Sequence, residues 1–149
     1  MAYKGIFRPS NPEKYKGDIS RIVYRSSWER KFMEFCDKNP NVLLWNSEGV
    51  KIPYVSPVDG ERHRYFVDFW IRMKNRAGEI VDKLIEIKPR IQRFPPETPK
   101  RKTKRYYESV KTYAVNQAKW EAAKLIAEKN NMQFVVLDEY DLGIRKRKK

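Results

Sequence analysis

Cysteine, histidine and glycine are scarce in this chain. Cys36 is the only cysteine, so no disulfide can form within it, and His63 is the only histidine. One of each excludes a Cys/His zinc site inside a single chain. Serine or thiol hydrolysis is disfavoured as well, because His63 has no flanking nucleophile elbow and Cys36 falls on the apolar side of a predicted helix. The six glycines form no phosphate-cradling loop, which disfavours nucleotide-driven chemistry. No apolar run reaches the length of a membrane span, and the N-terminal MAYKGIFRPSN lacks a signal-like apolar stretch. A soluble protein of a reducing cytoplasm is expected.

Acid is the other shortage. Nineteen Asp and Glu against thirty-three Lys and Arg leave a net charge of +14 over 149 residues. Such an excess implies a polyanionic partner, nucleic acid before an acidic membrane surface. Hydrophobic content of 40% and aromatic content of 13% still suit a globular fold, and the length suits one domain with one core.

Residues 1–24 carry Gly5, Pro9, Pro12 and Gly17 among scattered bases and read as an extended basic arm. A single domain is expected over 25–143. Ser26 is a suitable N-cap with Glu29 as its capping-box partner; Trp28, Phe32, Phe35 and Cys36 follow at helical spacing, and Asn39-Pro40 stops the helix. Strands are predicted at Val42–Trp45 and Val50–Val55, the second at an edge because of Pro53. His63–Met73 alternates as one strand, with Tyr65, Val67, Phe69, Ile71 and Met73 on one face and Phe66, Asp68, Trp70 and Arg72 on the other. A turn at 75–78 leads into Glu79–Lys88.

Residues 89–105, PRIQRFPPETPKRKTKR, are too basic and proline-rich to pack and read as a basic loop. A long helix follows from about Arg105 to Asn130, with Val110, Ala114, Ala118, Leu125 and Ile126 as its apolar stripe. Met132–Leu137 is the last strand, and 144–149 is a basic tail. The order αβββαβ implies an α/β or α+β fold, with helices flanking a mixed, mostly antiparallel sheet.

The stretch LIEIKPR ends an apolar strand with Glu86 and Lys88 on one face and Ile85 and Ile87 on the other. Antiparallel pairing through the 75–78 turn permits Asp68 and Glu86 to be neighbours. Two carboxylates with space beside them suit a magnesium ion, and Lys88 could orient water or stabilise charge on a phosphate. A plain cross-strand ion pair is the competing reading; Glu29 is a candidate third acid whose position capping also explains, and the two roles are not exclusive. His63 has the parity to face away from Asp68.

Asp68, Glu86-Ile87-Lys88 and the preceding helix with Glu29 resemble the PD-(D/E)xK nuclease superfamily, whose restriction-endonuclease-like core has this element order. More widely, YRSSWERKF, NPNVLLW, IPYVSPVDGERHRYFVDF and YAVNQAKW resemble the head-completion nucleases of T-even-type tailed phages. Val67 stands where the superfamily has proline, which removes no ligand. The resemblance implies that Asp68, Glu86 and the Ile87 carbonyl bind the metal, that Lys88 is catalytic, and that Glu29 assists. It also points to polar groups of the long helix, Asn116, Gln117 and above all Lys119.

The implied activity is Mg2+-dependent cleavage of double-stranded DNA, with Mn2+ substituting, during phage head completion. Arg90, Arg93, Lys100, Arg101, Lys102, Lys104 and Arg105 are the candidate contacts to the DNA backbone. No base-reading motif is present, so little sequence preference is expected. Portal or neck proteins are candidate partners, and the host cytoplasm or the virion the expected location. Two rivals stay open: a non-catalytic DNA-binding head-assembly protein, and a restriction enzyme or transposase endonuclease of the same fold.

Overall fold

Ser26 closes one strand and opens a helix. In the computed structural model, which describes residues 2–145, its hydroxyl accepts the Glu29 N–H at 3.1 Å, the bond that the capping pattern requires. The helix α1 runs Ser27–Lys38 and stops at Asn39, whose N–H bonds the Phe35 carbonyl. It buries Phe32, Met33 and Cys36, while Phe35 is exposed, against expectation. The interior position taken by Asp37 explains the change in face.

Asp37 is an acid that is nearly inaccessible. Its carboxylate accepts the backbone N–H groups of Ser10 and Asn11, each at 2.9 Å, and its carbonyl accepts from Asn11 and Lys14. These bonds pin down a segment expected to be a free arm. β1 (Ala2–Ile6) pairs with β2 (Val23–Ser26), and Phe7, Ile22 and Tyr24 enter the core. Proline and glycine shape this segment without keeping it out of the core. Of the basic tail, residues 146–149 lie outside the described residues.

The main sheet has the order β3-β6-β7-β8. β3 (Val42–Ser47), β6 (Phe69–Lys74) and β7 (Ile80–Ile87) are antiparallel neighbours, and β8 (Met132–Leu137) lies parallel to β7. A parallel neighbour needs a long crossover, and helix α2 (Lys104–Lys129) supplies it. Alternation along β7 feeds two apolar layers. Ile85 and Ile87 join α1, Trp45 and Phe69 on one side, and Leu84 joins Trp120, Ala123 and Ala127 of α2 on the other.

The expected strand His63–Met73 is two strands. β5 (Arg62–Phe66) pairs only with β4 (Lys51–Val55), and β6 starts at Phe69. Burial still alternates through the join, but Tyr65 and Val67 pack in the α2 layer while Phe69 and Ile71 pack in the α1 layer. Period-two alternation reports burial and is blind to this switch of layer. The buried stripe of α2 is also different from the one expected. Asn116, Trp120, Ala123 and Ala127 face inward, whereas Val110 and Leu125 are exposed. A buried asparagine and a tryptophan that needs an acceptor hid this face from a search for apolar residues.

Asp37→Ala removes the acceptor of two partly buried backbone donors, each worth about 1–3 kcal/mol when orphaned. We expect about 2–4 kcal/mol of destabilisation in urea unfolding. Proteolysis within residues 8–16 should accelerate in the variant.

Candidate active site

The break between β5 and β6 creates the site. In the β6–β7 register, Phe69 faces Ile85, so Val67 would face Ile87 if the ladder continued. It does not continue. The Val67 N–H bonds the Val50 carbonyl at 3.1 Å, and the Ile87 N–H is taken by Asp68 Oδ2 at 2.8 Å. A strand residue's N–H and C=O point the same way, so the Ile87 carbonyl also faces the gap beside Asp68. Glu48 holds the break from behind. Its left-handed backbone, φ 54°, aims its N–H at the Asp68 carbonyl, 3.0 Å away, and its carboxylate pairs with Arg25.

Glu86 lies on the α2 side of β7 and is 3% exposed. Trp120 donates its indole N–H to Glu86 Oε2 at 3.3 Å. Asp68 lies near enough to Glu86 to feel its charge: desolvation first, then the charge of Glu86, pushes the Asp68 carboxyl well above its usual range. The ion pairs of the described residues include neither carboxylate and do not include Lys88. A half-buried and a buried acid therefore face each other with no ion-pair partner among the described residues. The donor set fits a divalent ion: two carboxylates and a carbonyl, all hard oxygens, in need of positive charge.

Lys88 follows on the same face as Glu86, half-buried, with its backbone N–H bonded to the Leu137 carbonyl at 3.0 Å. Glu29 stands on the first turn of α1, half-buried. Burial raises its carboxyl pKa, the Arg25 backbone and charge oppose this, and Glu86 adds to the rise. Glu29 thus feels Glu86, yet the three carboxylates do not converge within one ion's ligand span among the described residues. Its position suits a supporting acid better than a direct ligand. Lys119 reaches the rim, with Nζ 5.6 Å from the Tyr65 ring centroid and 5.8 Å from that of Tyr54.

Sequence reasoning passed over Trp120 and the role of Tyr65. The Tyr65 hydroxyl is buried without a hydrogen-bond partner of normal geometry, and burial with the charges of Glu86 and Asp68 drives its pKa up. Tyr65 was read only as an apolar position in an alternating strand, and Trp120 only as part of the YAVNQAKW block. A buried indole N–H requires an acceptor, and that was the signal available.

Arg90 is exposed and Arg93 half-buried, and both are tied to an acid of the fold. Their guanidiniums reach the fully buried Asp138 at 3.4 and 2.9 Å. Burial raises the Asp138 pKa, but the Asp141 and Tyr140 amides, Arg93 and a hydrogen bond with Asp141 outweigh it and hold it at about 2. Lys100, Arg101, Lys102, Lys104 and Arg105 remain exposed. His63 joins none of this: its Nε2 lies 2.7 Å from Asp59 Oδ2 and its ring stacks on Tyr54. Asp59, Glu61 and His63 could span an ion, but all three are exposed, and Asp59 already accepts the Glu61 N–H of the hairpin turn.

Residues 39–139 match the family described as TnsA-like endonuclease N terminal. The matched span contains Asp68, Glu86, Lys88 and Trp120, and it excludes Glu29. The chain is also 43% identical to the head completion nuclease of Enterobacteria phage T4, over 93% of each chain. No solved structure matches.

Asp68 and Asp138 titrate with opposite consequences. Asp68 has a raised folded pKa, so its contribution to stability is present below the unfolded value and lost as pH rises through the folded one. Asp68→Asn should therefore raise the melting temperature of the metal-free protein at pH 7. Added Mg2+ or Mn2+ should raise that of the wild type and leave the variant nearly unchanged. Asp138 has a lowered folded pKa, so its contribution is present above the unfolded value near 3.8 and lost as pH falls toward about 2. In urea unfolding, the advantage of wild type over Asp138→Asn should hold above pH ~4 and shrink steadily between pH ~4 and pH ~2.

Proposed function

The chain belongs to the TnsA-like endonuclease family, and from that premise we propose that it is a metal-dependent DNA endonuclease that processes DNA when a phage head is completed. One observation carries the chemical part: a close carboxylate pair, half-buried Asp68 and buried Glu86, with no ion-pair partner among the described residues and a lysine on the same face. The biological setting follows from the likeness to the head completion nuclease.

Asp68, Glu86 and the Ile87 carbonyl would hold the ion, Mg2+ with Mn2+ as a substitute. When bound, such an ion polarises the phosphate and acidifies nearby water. Lys88 orients the attacking water and stabilises negative charge growing on the scissile phosphate. Glu29 accepts a hydrogen bond from water at the edge of the site. Trp120 fixes the Glu86 carboxylate, so that one oxygen stays turned away from the sheet's interior. Lys119 stands where it can meet a phosphate at the rim.

Attack by water breaks one phosphodiester P–O bond and leaves a phosphate on one side and a hydroxyl on the other. The exposed bases Lys100, Arg101 and Lys102 of the loop and Lys104 and Arg105 of the first turn of α2 bind the DNA backbone with little regard to sequence. The enzyme would act in the host cytoplasm on double-stranded DNA, beside portal or neck proteins. The family match keeps one second reading in view, an endonuclease subunit that cuts for a partner recombinase.

Purified protein should nick and then linearise plasmid in Mg2+, and chelator should stop it. Asp68→Ala and Lys88→Ala should each lower the rate by about 10²-fold or more, with DNA retention on a gel preserved. Equal cleavage by wild type and both variants would assign the activity to a contaminant. Binding without any cleavage would favour a non-catalytic assembly role.

A further inference from the structure

The outer face of the β4–β5 ribbon carries charge that the fold does not use. Register pairs Lys51 with Phe66, Pro53 with Arg64 and Val55 with Arg62. All six side chains are exposed, whereas Ile52 and Tyr65 on the inner face are buried. Ion pairs among the described residues involve none of Lys51, Arg62 and Arg64. The nearby acids sit at the hairpin turn, where Asp59 is held by His63. Lys51 Nζ lies 5.8 Å over the Phe66 ring, which is itself 43% exposed.

Between the two arginines and Phe66 is a shallow hollow of about 510 Å³, lined also by Pro53 and His63. Proline at the cross-strand position offers neither a donor nor a long side chain, so the floor stays open. Strand spacing sets the backbones of Arg62 and Arg64 about 6.6 Å apart, within reach of neighbouring phosphates on one DNA strand. The ribbon is also continuous with the site, because Phe66 precedes Asp68 by two residues.

We propose that this face is a second nucleic-acid contact, in which Lys51, Arg62 and Arg64 hold the phosphodiester backbone of the DNA being cut and Phe66 packs against a sugar or base. The proposal rests on the endonuclease reading and names how the substrate is gripped. Charge complementarity selects the occupant: three unpaired cations without a facing acid, in a chain of net charge +14. The β5 strand then sets the distance between the gripped phosphates and Asp68, so the ribbon aligns the scissile bond as well as holding the duplex. Together with the loop at 100–105 it would place basic surface on two different elements around the site.

The test is duplex binding by fluorescence anisotropy in chelator, across a series of salt concentrations. Arg62→Ala/Arg64→Ala should weaken binding and flatten the slope of log affinity against log salt by about 1.8, or 0.9 per lost contact. Arg62→Lys/Arg64→Lys should keep the wild-type slope, and both variants should melt like wild type. An unchanged slope in the alanine variant overturns the proposal and points to a protein on this face instead. Equal loss in both variants also overturns it, since charge would then not be the cause. Cleavage by wild type in Mg2+ is measured alongside. A flattened slope without wild-type cleavage sinks the nuclease reading and keeps the ribbon contact, and cleavage with an unchanged slope does the reverse.

Discussion

One hydrogen bond organises the site: the Ile87 N–H given to the Asp68 carboxylate. In an unbroken ladder that donor would go to a backbone carbonyl of the neighbouring strand, and a carboxylate would have no place beside it. Val67 instead bonds to Val50, Glu48 takes the Asp68 carbonyl, and the chain leaves β5 and enters β6 in a different layer. The side chain of Asp68 occupies the gap so formed. From that single substitution of side chain for backbone come the placement of Asp68 next to Glu86, the orientation of the Ile87 carbonyl, and the direction of the β4–β5 ribbon.

The arrangement is unfavourable to the folded protein on its own. Desolvation and the neighbouring Glu86 charge both act against a charged Asp68. The fold supports them with weak neutral partners, the Trp120 indole and one backbone amide, and with no cation. The contrast with Asp138 is instructive. That acid is fully buried, but two arginines and two backbone amides satisfy it, and its pKa is held low. Asp138 anchors the segment after β7, whereas the carboxylate pair has no such cationic partner among the described residues.

Much of this was legible in the residues. The cap at Ser26, the two-fold alternation of β7 and the turn at 75–78 all rest on local chemistry, and local chemistry is what a sequence displays. The same arithmetic that pairs Phe69 with Ile85 brings Asp68 to Glu86, so the acid pair was accessible before any coordinates. The break at Val67-Asp68 was not, because burial alternates across it without interruption. Nor was the packing of residues 2–24, which depends on Asp37 lying 26 and 27 residues away from the amides it accepts. The pairing of Arg90 and Arg93 with Asp138 likewise depends on a residue far along the chain, which a basic loop read in isolation does not reveal.

Family membership and site geometry meet in the carboxylate pair, and a metal is what would join them. The most direct measurement is anomalous diffraction from crystals grown with Mn2+. The account requires a manganese peak bound by the carboxylates of Asp68 and Glu86 and the carbonyl of Ile87, with the Lys88 amine nearby. A peak only at Asp59, Glu61 and His63, or none at all in a protein that still cleaves DNA, would contradict it.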